Sequence, residues 1–190
     1  MRQGNLFIVS GPSGAGKGTL VGRVMDRIPD AWLSISVTTR QPREGEVDGV
    51  HYFFVDDERF DGLVSDDGLL EWAQVHSARY GTPRKTVEDH IAAGGQVILE
   101  IDVQGAFQVR EKVPAAHLVF IEPPSLEELE RRLRGRGTED EASIVKRMEN
   151  ARIELSRKME YDIQLVNDNL DECTEELVAF IESKAEKNED

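Results

Sequence analysis

The residues best suited to chemistry lie near the amino terminus, where glycines and small residues lead to a lysine. Residues 11–19, here called the phosphate loop, read Gly-Pro-Ser-Gly-Ala-Gly-Lys-Gly-Thr and follow a short apolar run. Glycines let several backbone N–H groups converge on one anion, and a following helix adds the positive end of its dipole. Lys17 brings a full charge to the β- and γ-phosphates. The loop predicts a nucleoside triphosphate site, against the alternative of a glycine-rich turn with a solvent-exposed lysine.

The residue after the lysine departs from the strict motif, which has Ser or Thr there as a magnesium ligand. Gly18 occupies that position and Thr19 follows it. The Gly-Lys-Gly-Thr form resembles nucleoside monophosphate kinases, in which phosphates and water largely hold the metal. We therefore assign no direct metal ligand in the loop and expect Thr19 to contact a phosphate. The loop residues predicted to bind ATP are Gly11, Pro12, Ser13, Gly14, Ala15, Gly16, Lys17, Gly18 and Thr19.

A second group of charged and hydroxyl side chains follows in one short region. It consists of Ser36, Arg40, Arg43 and Tyr52. Arginine binds phosphate through a rigid planar fork, so two arginines predict a second phosphate pocket that is separate from the loop. Ordinary surface charge is the alternative explanation.

The same region carries a longer pattern, Ser-Val-Thr-Thr-Arg-x-Pro-Arg-x-Gly-Glu-x-Asp-Gly-x-x-Tyr, over residues 36–52. This pattern closely resembles the GMP-binding region of guanylate kinases. Further matching motifs lie at residues 71–73, 80–82, 100–105 and 134–138. The resemblance runs from residue 4 to residue 185, which is nearly the whole chain.

The resemblance implies roles for the side chains of the acceptor site. It implies that the GMP phosphate is held by Arg40, Arg43, Tyr52 and Tyr80, and that guanine is recognised by Ser36, Glu71 and Thr82. Guanine presents N1–H and N2–H donors side by side, so one carboxylate can accept both. Adenine has a bare N1 lone pair there, which would leave a buried Glu71 unpaired, so we expect AMP to be a poor substrate. An exposed strand carboxylate is the alternative for Glu71.

Polar residues also stand at the ends of predicted strands. Asp102 is expected to end an apolar strand over residues 96–101, at the carboxyl edge where open α/β sheets bind ligands. We count it among the GMP-site residues and expect it to hold Mg²⁺ through water. Glu100 is expected on the same face, and the resemblance implies that it approaches guanine, although many relatives have Asp there. A structural strand-end acid is the alternative for both. Asn167 and Asp168 resemble a weaker adenine-side motif, with an ordinary turn as the alternative.

Basic side chains outnumber acidic ones between residues 131 and 158, which reverses the balance of the whole chain. Phosphoryl transfer spreads negative charge over the moving group, and cations on an element that closes over the substrates can stabilise it. The Gly-Arg-Gly-Thr turn at residues 135–138 predicts such a lid, and Arg136 and Arg147 match the lid arginines of the family. The remaining basic residues are expected to form salt bridges on helix surfaces.

These residues need a fold that positions them, and the apolar pattern predicts one. Continuous apolar runs at residues 5–10, 96–102, 117–122 and 162–167 read as strands, and helical spacing follows, as at residues 17–28. Such strands separated by helices predict an α/β fold with a parallel sheet of the P-loop NTPase type and helices on both faces.

The segment that begins at Leu33 departs from this alternation of strands and helices. Leu33, Ile35 and Val37 alternate with polar residues, as in one half-exposed strand. With residues 52–55 and 69–75, this alternation predicts three paired strands in a small β-rich lobe. We expect a single domain over residues 1–190, with a core (1–32, 83–124 and 161–187), a GMP-binding lobe (33–82) and a mobile lid with flanking helices (125–160).

Composition limits the class of protein. The chain has 190 residues, 39% of them hydrophobic, which suits one compact unit. A formal net charge of −14 argues against a general nucleic-acid or membrane binder. Cys173 is the single cysteine, so we expect neither a disulfide framework nor a thiolate metal cluster, and we predict a cytoplasmic location.

The resemblance implies an enzyme that uses ATP with Mg²⁺ to phosphorylate GMP, and dGMP as a second substrate. Lys17, Arg40, Arg136 and Arg147 would stabilise the transferring group. No nucleic-acid, membrane or obligatory protein partner is expected. One alternative is a catalytically inactive guanylate-kinase-like module that binds phosphopeptides, and another is a kinase for AMP or CMP. The intact loop disfavours the first alternative, and Glu71 disfavours the second.

Overall fold

The structure, a computed structural model, describes residues 2–75, 77–135 and 140–186. Its strands are β1 (Asn5–Ser10), β2 (Ala31–Leu33), β3 (Val37–Thr38), β4 (Phe53–Phe54), β5 (Leu69–Val75), β6 (Ala78–Pro83), β7 (Gln96–Glu100), β8 (His117–Glu122) and β9 (Ile163–Val166). Its helices are α1 (Lys17–Arg27), α2 (Asp57–Ser65), α3 (Arg84–Ala92), α4 (Val103–Lys112), α5 (Leu126–Gly135), α6 (Glu141–Ser156) and α7 (Leu170–Ala185). Across these described ranges, no helix is both long enough and apolar enough to span a bilayer.

A five-stranded sheet with the order β2-β7-β1-β8-β9 forms the core, and all its neighbouring strands are parallel. This confirms the predicted α/β fold. The strands predicted at residues 5–10 and 117–122 are confirmed residue for residue. The strand expected to reach Asp102 ends at Glu100 instead. Asp102 caps α4, because its carboxylate accepts a hydrogen bond from the N–H of Gly105 at 2.7 Å.

Helices cover both faces of this sheet, as the continuous apolar strands predict. Side chains alternate along β1, so Phe7 and Val9 pack with α1 and α7, while Leu6 and Ile8 pack with α3 and α4. All four side chains are buried. Burying each stabilises the fold by about 1.5–3 kcal/mol. The buried strands therefore hold in place the loops at the carboxyl edge of the sheet.

The lobe has a sheet of its own, with the order β4-β3-β6-β5. The expectation of one strand over residues 33–38 is wrong. Leu33 ends β2 in the core sheet, whereas Val37 begins β3 in the lobe, so the chain changes sheets between them. The lobe also contains β6 and α2, which the three-strand expectation lacked. Phe60 of α2 fills the small core of the lobe with Leu69.

Helices α5 and α6 pack against each other through Leu129, Leu133 and Ile144. The two leucines also lie against the phosphate loop, since a Cβ at Gly14 would come within 3.0 and 3.1 Å of their methyl groups. The helices that flank the predicted lid turn therefore rest beside the loop. Residues 136–139, which include most of that turn, lie outside the described residues.

Candidate active site

The phosphate loop connects the end of β1 to the first turn of α1. At Gly16 the backbone φ is 93°, and a Cβ there would lie 2.3 Å from Nδ2 of Asn167. Only glycine fits this conformation and this close approach. The same Nδ2 donates a hydrogen bond to the carbonyl of Ala15 at 2.8 Å, and Asn167 is buried. Asn167, expected on the adenine side of the ATP site, thus supports the loop backbone.

A cavity of about 300 Å³, the loop cavity, opens over the phosphate loop. Its lining residues are Ser13, Gly14, Gly16, Lys17, Gly18, Thr19 and Glu100. Lys17 donates hydrogen bonds from Nζ to the carbonyls of Gly11 at 2.6 Å and Pro12 at 3.1 Å. The lysine ammonium is therefore held by the loop that is predicted to bind phosphate.

Arg147 reaches the phosphate loop from α6. Its Nη1 donates to Oγ of Ser13 at 2.6 Å. Arg136, the other lid arginine of the prediction, lies outside the described residues. Most of the remaining basic residues form the salt bridges expected of them, in the pairs Arg131–Glu128, Arg132–Glu128, Arg134–Glu141, Arg157–Glu160 and Lys158–Glu122.

Arg40 forms a two-pronged ion pair with Glu46, which sequence reasoning missed. Its Nη1 and Nη2 donate to the two carboxylate oxygens at 2.9 and 2.8 Å. The same carboxylate accepts the backbone N–H of Arg43 at 2.7 Å. Hydrogen bonding from Arg40 lowers the pKa of Glu46 to about 2, because it favours the ionised form. The available signal was a carboxylate three residues after Arg43, within reach of both arginines.

Two tyrosines stand beside this arginine. The Arg40 guanidinium lies 5.4 Å from the ring centre of Tyr52, and the ring centres of Tyr52 and Tyr80 are 5.9 Å apart. Arg43 is exposed. The structure therefore brings Arg40, Tyr52 and Tyr80 together, while Arg43 joins them through its backbone contact with Glu46.

A second cavity, of about 150 Å³ and here called the acceptor cavity, lies between the lobe and the core. Its lining residues are Leu33, Ser34, Ser36, His51, Tyr52, Thr82, Leu99, Glu100 and Ile101. Ser36, Tyr52 and Thr82, which the resemblance assigned to GMP, are therefore brought to one place. Glu100 lines both cavities, so the two predicted substrate sites share a wall.

Glu71 is hydrogen bonded to Thr82, which lines the acceptor cavity. Thr82 donates from Oγ1 to Oε1 of Glu71 at 2.6 Å, and Glu71 is only 7% exposed. The alternative of an exposed strand carboxylate is therefore wrong. Burial raises the pKa of Glu71, and the nearby charge of Asp102 adds to the rise, while the hydrogen bond from Thr82 opposes it.

Asp102 lines neither of these two cavities. It borders a separate cavity of about 210 Å³ with Gln104, Glu154 and Arg157. Burial raises the pKa of Glu154, and the charge of Lys17 opposes that rise. Glu154 is thus an acidic residue close enough to Lys17 to interact with it, and its place in the last turn of α6 gave no sequence signal.

Comparisons with known proteins show the family of the chain. A family model described as guanylate kinase matches residues 3–184. The chain is 53% identical over 182 residues to the guanylate kinase of Synechococcus sp. (strain CC9902), covering 96% of this chain and 97% of that protein. It is 56% identical over 176 residues to the guanylate kinase of Thermobifida fusca (strain YX), covering 93% and 90%.

Solved structures show the same relationship. The crystal structure of guanylate kinase from Anaplasma phagocytophilum matches with a TM-score of 0.76 at 32% identity, covering 99% of this chain and 90% of that chain. Shikimate kinase from Bacteroides thetaiotaomicron matches with a TM-score of 0.52 at 14% identity, covering 94% and 98%. The second match shows a shared fold alone.

Proposed function

The chain belongs to the guanylate kinase family, and we propose that its loop cavity holds ATP and its acceptor cavity holds GMP. It is an ATP:GMP phosphotransferase that yields ADP and GDP. The main support for placing one substrate in each cavity is Glu100, because this residue lines both cavities. Nucleotides bound on its two sides would meet at their phosphate ends, as direct transfer requires.

On the donor side, the loop backbone and Lys17 bind the triphosphate. Lys17 exchanges its two carbonyl partners for phosphate oxygens, which form stronger charge-assisted hydrogen bonds. Arg147, already at Ser13, moves onto the transferring group when the lid closes, together with Arg136. Asn167 keeps the loop in its binding conformation through Ala15.

On the acceptor side, the lobe grips the GMP phosphate and reads the base. The phosphate ligands are Arg40, Arg43, Tyr52 and Tyr80, with Glu46 aiming Arg40. Guanine is read by Ser36, Glu71 and Thr82. The single O–H group of Thr82 donates a hydrogen bond to Glu71. The remaining lone pairs of both side chains can therefore accept hydrogen bonds from the N1–H and N2–H groups of guanine. AMP cannot supply those donors, and the buried carboxylate would stay unpaired.

The reaction requires little acid–base catalysis by the protein. The attacking GMP phosphate oxygen is already ionised, so neither a general base nor a covalent intermediate is needed. Positioning and charge neutralisation supply the rate. Lys17, Arg40, Arg136 and Arg147 are the cations proposed to stabilise the transferring phosphoryl group.

The loop cavity suits a magnesium ion. Ser13, Thr19 and Glu100 line it with oxygen atoms, which are the donors that this hard cation prefers. When bound with ATP, Mg²⁺ would neutralise charge on the phosphate oxygens. Asp102 stays a candidate for a contact through water.

An ADP-release assay across GMP, dGMP, AMP, CMP and UMP tests this function. We expect GMP and dGMP to be phosphorylated, and kcat/KM for the other three to be at least about 100-fold lower, since a buried polar site rejects bases that leave it unpaired. Faster turnover of AMP than of GMP would refute the base-reading assignment. Phosphopeptide binding without any turnover would favour an inactive module.

We also keep the division into a core (1–32, 83–124 and 161–187), a lobe (33–82) and a lid with flanking helices (125–160) as a proposal. Its one adjustment is Leu33, whose strand belongs to the core sheet. The cytoplasmic location stays a prediction from the sequence.

A further inference from the structure

Helix α4 of the core lies along β5, which is an edge strand of the lobe sheet. The helix residues that meet this strand share one face, at spacings of three and four, and are Gly105, Gln108 and Lys112. A Cβ built on Gly105 would lie 3.1 Å from Oε2 of Glu71. At the other end of the contact, Lys112 donates to the carbonyl of Leu69 at 2.7 Å. A core helix therefore supports the strand that carries Glu71.

The side chain of Gln108 binds the open edge of β5 as a neighbouring strand would. Its Oε1 accepts the N–H of Trp72 at 3.2 Å, and its Nε2 donates to the carbonyl of the same residue at 3.3 Å. One carboxamide thus pairs with two backbone groups that an edge strand leaves open. Because the Trp72 N–H belongs to the peptide bond that joins Glu71 to Trp72, this contact fixes the backbone from which the Glu71 side chain projects.

The pairing of β5 with β6 is interrupted at this point. Leu69 lies opposite Pro83 and Trp72 lies opposite Gly81, so β5 has one extra residue between these two pairs. Glu71 lies within this bulge. A bulge redirects a side chain and disrupts the ladder of hydrogen bonds locally. The contact from α4 on the outer edge therefore adds support that the interrupted ladder lacks.

We propose that Gln108 is a positioning residue for guanine recognition, which holds the Glu71 carboxylate where it can accept both the N1–H and the N2–H group. This inference rests on the proposed function and deepens it. Gln108 lines neither the loop cavity nor the acceptor cavity, so it acts through the backbone of Trp72. Two parallel hydrogen bonds weaken steeply when their angles change. Selectivity among bases should therefore depend on Gln108.

Steady-state kinetics of Gln108→Met with GMP and with inosine monophosphate (IMP) test the proposal. Methionine keeps an unbranched side chain but cannot donate a hydrogen bond, and its sulfur is a weak acceptor. IMP presents the N1–H of guanine without the N2 amine, so it can form only one of the two hydrogen bonds with Glu71. We expect kcat/KM for GMP to fall about 10-fold and that for IMP to fall less, which narrows the preference for GMP. KM for ATP should stay near the wild-type value.

Asp67→Asn is the matched control, because it weakens another contact between α4 and the lobe. Asp67 accepts a hydrogen bond from Lys112 at 2.7 Å. Its backbone φ is 50°, in the left-handed region that asparagine also adopts. Any loosening of the lobe in this variant should affect GMP and IMP alike, because both nucleotides carry the same phosphate. The ratio of their kcat/KM values should therefore match that of the wild type, and equal narrowing in the two variants would overturn the inference.

Amide hydrogen exchange at Trp72, measured by NMR, gives a readout that does not depend on catalysis. Exchange should be faster in Gln108→Met, which removes the acceptor of this N–H, and unchanged in Asp67→Asn. An unchanged exchange rate, or an unchanged preference for GMP over IMP, in Gln108→Met would overturn the inference and leave the proposed function intact. The proposed function itself fails if the wild-type protein releases no ADP with GMP.

Discussion

At the scale of single residues, burial of Glu71 disfavours its charged form, and the same carboxylate is proposed to recognise guanine. Burial raises its pKa in the folded protein above the unfolded value of about 4.3. Between those two values the folded state binds more protons than the unfolded state, so stability falls as pH rises through that window. At higher pH the folded protein carries the buried charge at a cost in stability.

Glu71→Gln should therefore raise the melting temperature at pH 7 and lower kcat/KM for GMP by about 100-fold or more, because an amide cannot accept both guanine donors. Thermal unfolding and steady-state kinetics measure the two effects. The gain in melting temperature should disappear in acid, where the wild-type carboxyl is protonated. Glu58→Gln, at an exposed position of α2, is the control. A less stable Glu71→Gln at pH 7 would contradict this account.

Glu46 should act through Arg40 and not on the substrate itself. Glu46→Gln removes the charged partner of the arginine fork, so KM for GMP should rise about 10-fold with little change in KM for ATP. Initial rates with each substrate varied give both constants. Glu44→Gln changes an exposed carboxylate two residues away and should leave both unchanged. Equal behaviour of the two variants would remove Glu46 from the site.

Residues proposed to contact the substrates have a local sequence signal, whereas the residues that orient those side chains do not. The phosphate loop has fixed spacing, so residues 11–19 could be assigned from their order alone. The hydrogen bond from Thr82 to Glu71 depends on how β5 and β6 pair, where a bulge shifts the register. No local sequence pattern encodes that register. Glu46 was missed for a similar reason, because its pairing with Arg40 depends on the turn between them.

At the scale of elements, the phosphate loop depends on the chain segment after β9. Asn167→Asp replaces the N–H donor to Ala15 with a carboxylate that repels both that carbonyl and the ATP phosphates. KM for ATP should rise at least about 10-fold, since a buried hydrogen bond is lost and a charge is added. Nucleotide titrations measure this change.

Asn169→Asp provides a matched control for that variant. Asn169 caps α7 by accepting the N–H groups of Asp171 and Glu172, and aspartate caps helices equally well. KM for ATP should therefore stay near the wild-type value. If both aspartates weaken ATP binding alike, added negative charge and not the support of Ala15 explains the loss.

The packing of α5 and α6 should couple lid stability to ATP binding. Leu133→Ala removes a buried side chain that contacts both the helix pair and the loop near Gly14, so it should cost about 2–5 kcal/mol of unfolding free energy. KM for ATP should rise as well. Leu63→Ala, at a partly buried position packed against the core of the lobe, should lower stability without that rise. Urea unfolding and ATP titration distinguish the two variants.

Elements buried on both faces were predictable, and elements that cross between sheets were not. The strand at residues 5–10 is one continuous apolar run because neighbours cover it everywhere. Alternation over residues 33–38 looks the same whether one strand or two short strands in different sheets produce it. Asp102 was misplaced because a helix cap and a strand end have the same polar signature after an apolar run.

At the scale of the whole molecule, Lys112 links the core to the lobe. Its Nζ donates to Oδ1 of Asp67 and to the carbonyl of Leu69, both at 2.7 Å. That hydrogen bond to Lys112 lowers the pKa of Asp67, so the pair stabilises the fold above the unfolded pKa of about 3.9 and the effect is lost as pH falls through the folded value.

Lys112→Gln should therefore lower the melting temperature modestly at pH 7, and the difference from wild type should shrink in acid. Thermal unfolding across pH measures both. Lys85→Gln is the control, because Lys85 pairs with Asp89 within one helix and joins no two parts of the molecule. A deficit in Lys112→Gln that stays constant down to acid pH would show that the Asp67 charge contributes nothing.

The central claim is that the two cavities bring the reacting ends of ATP and GMP together. A crystal structure with GMP, AMP-PNP and Mg²⁺ bound tests it most directly. With the lid closed, the γ-phosphorus should lie about 3–3.5 Å from a GMP phosphate oxygen, the separation from which direct transfer can begin. Fully bound nucleotides whose phosphates stay far beyond contact in a closed protein would contradict the account.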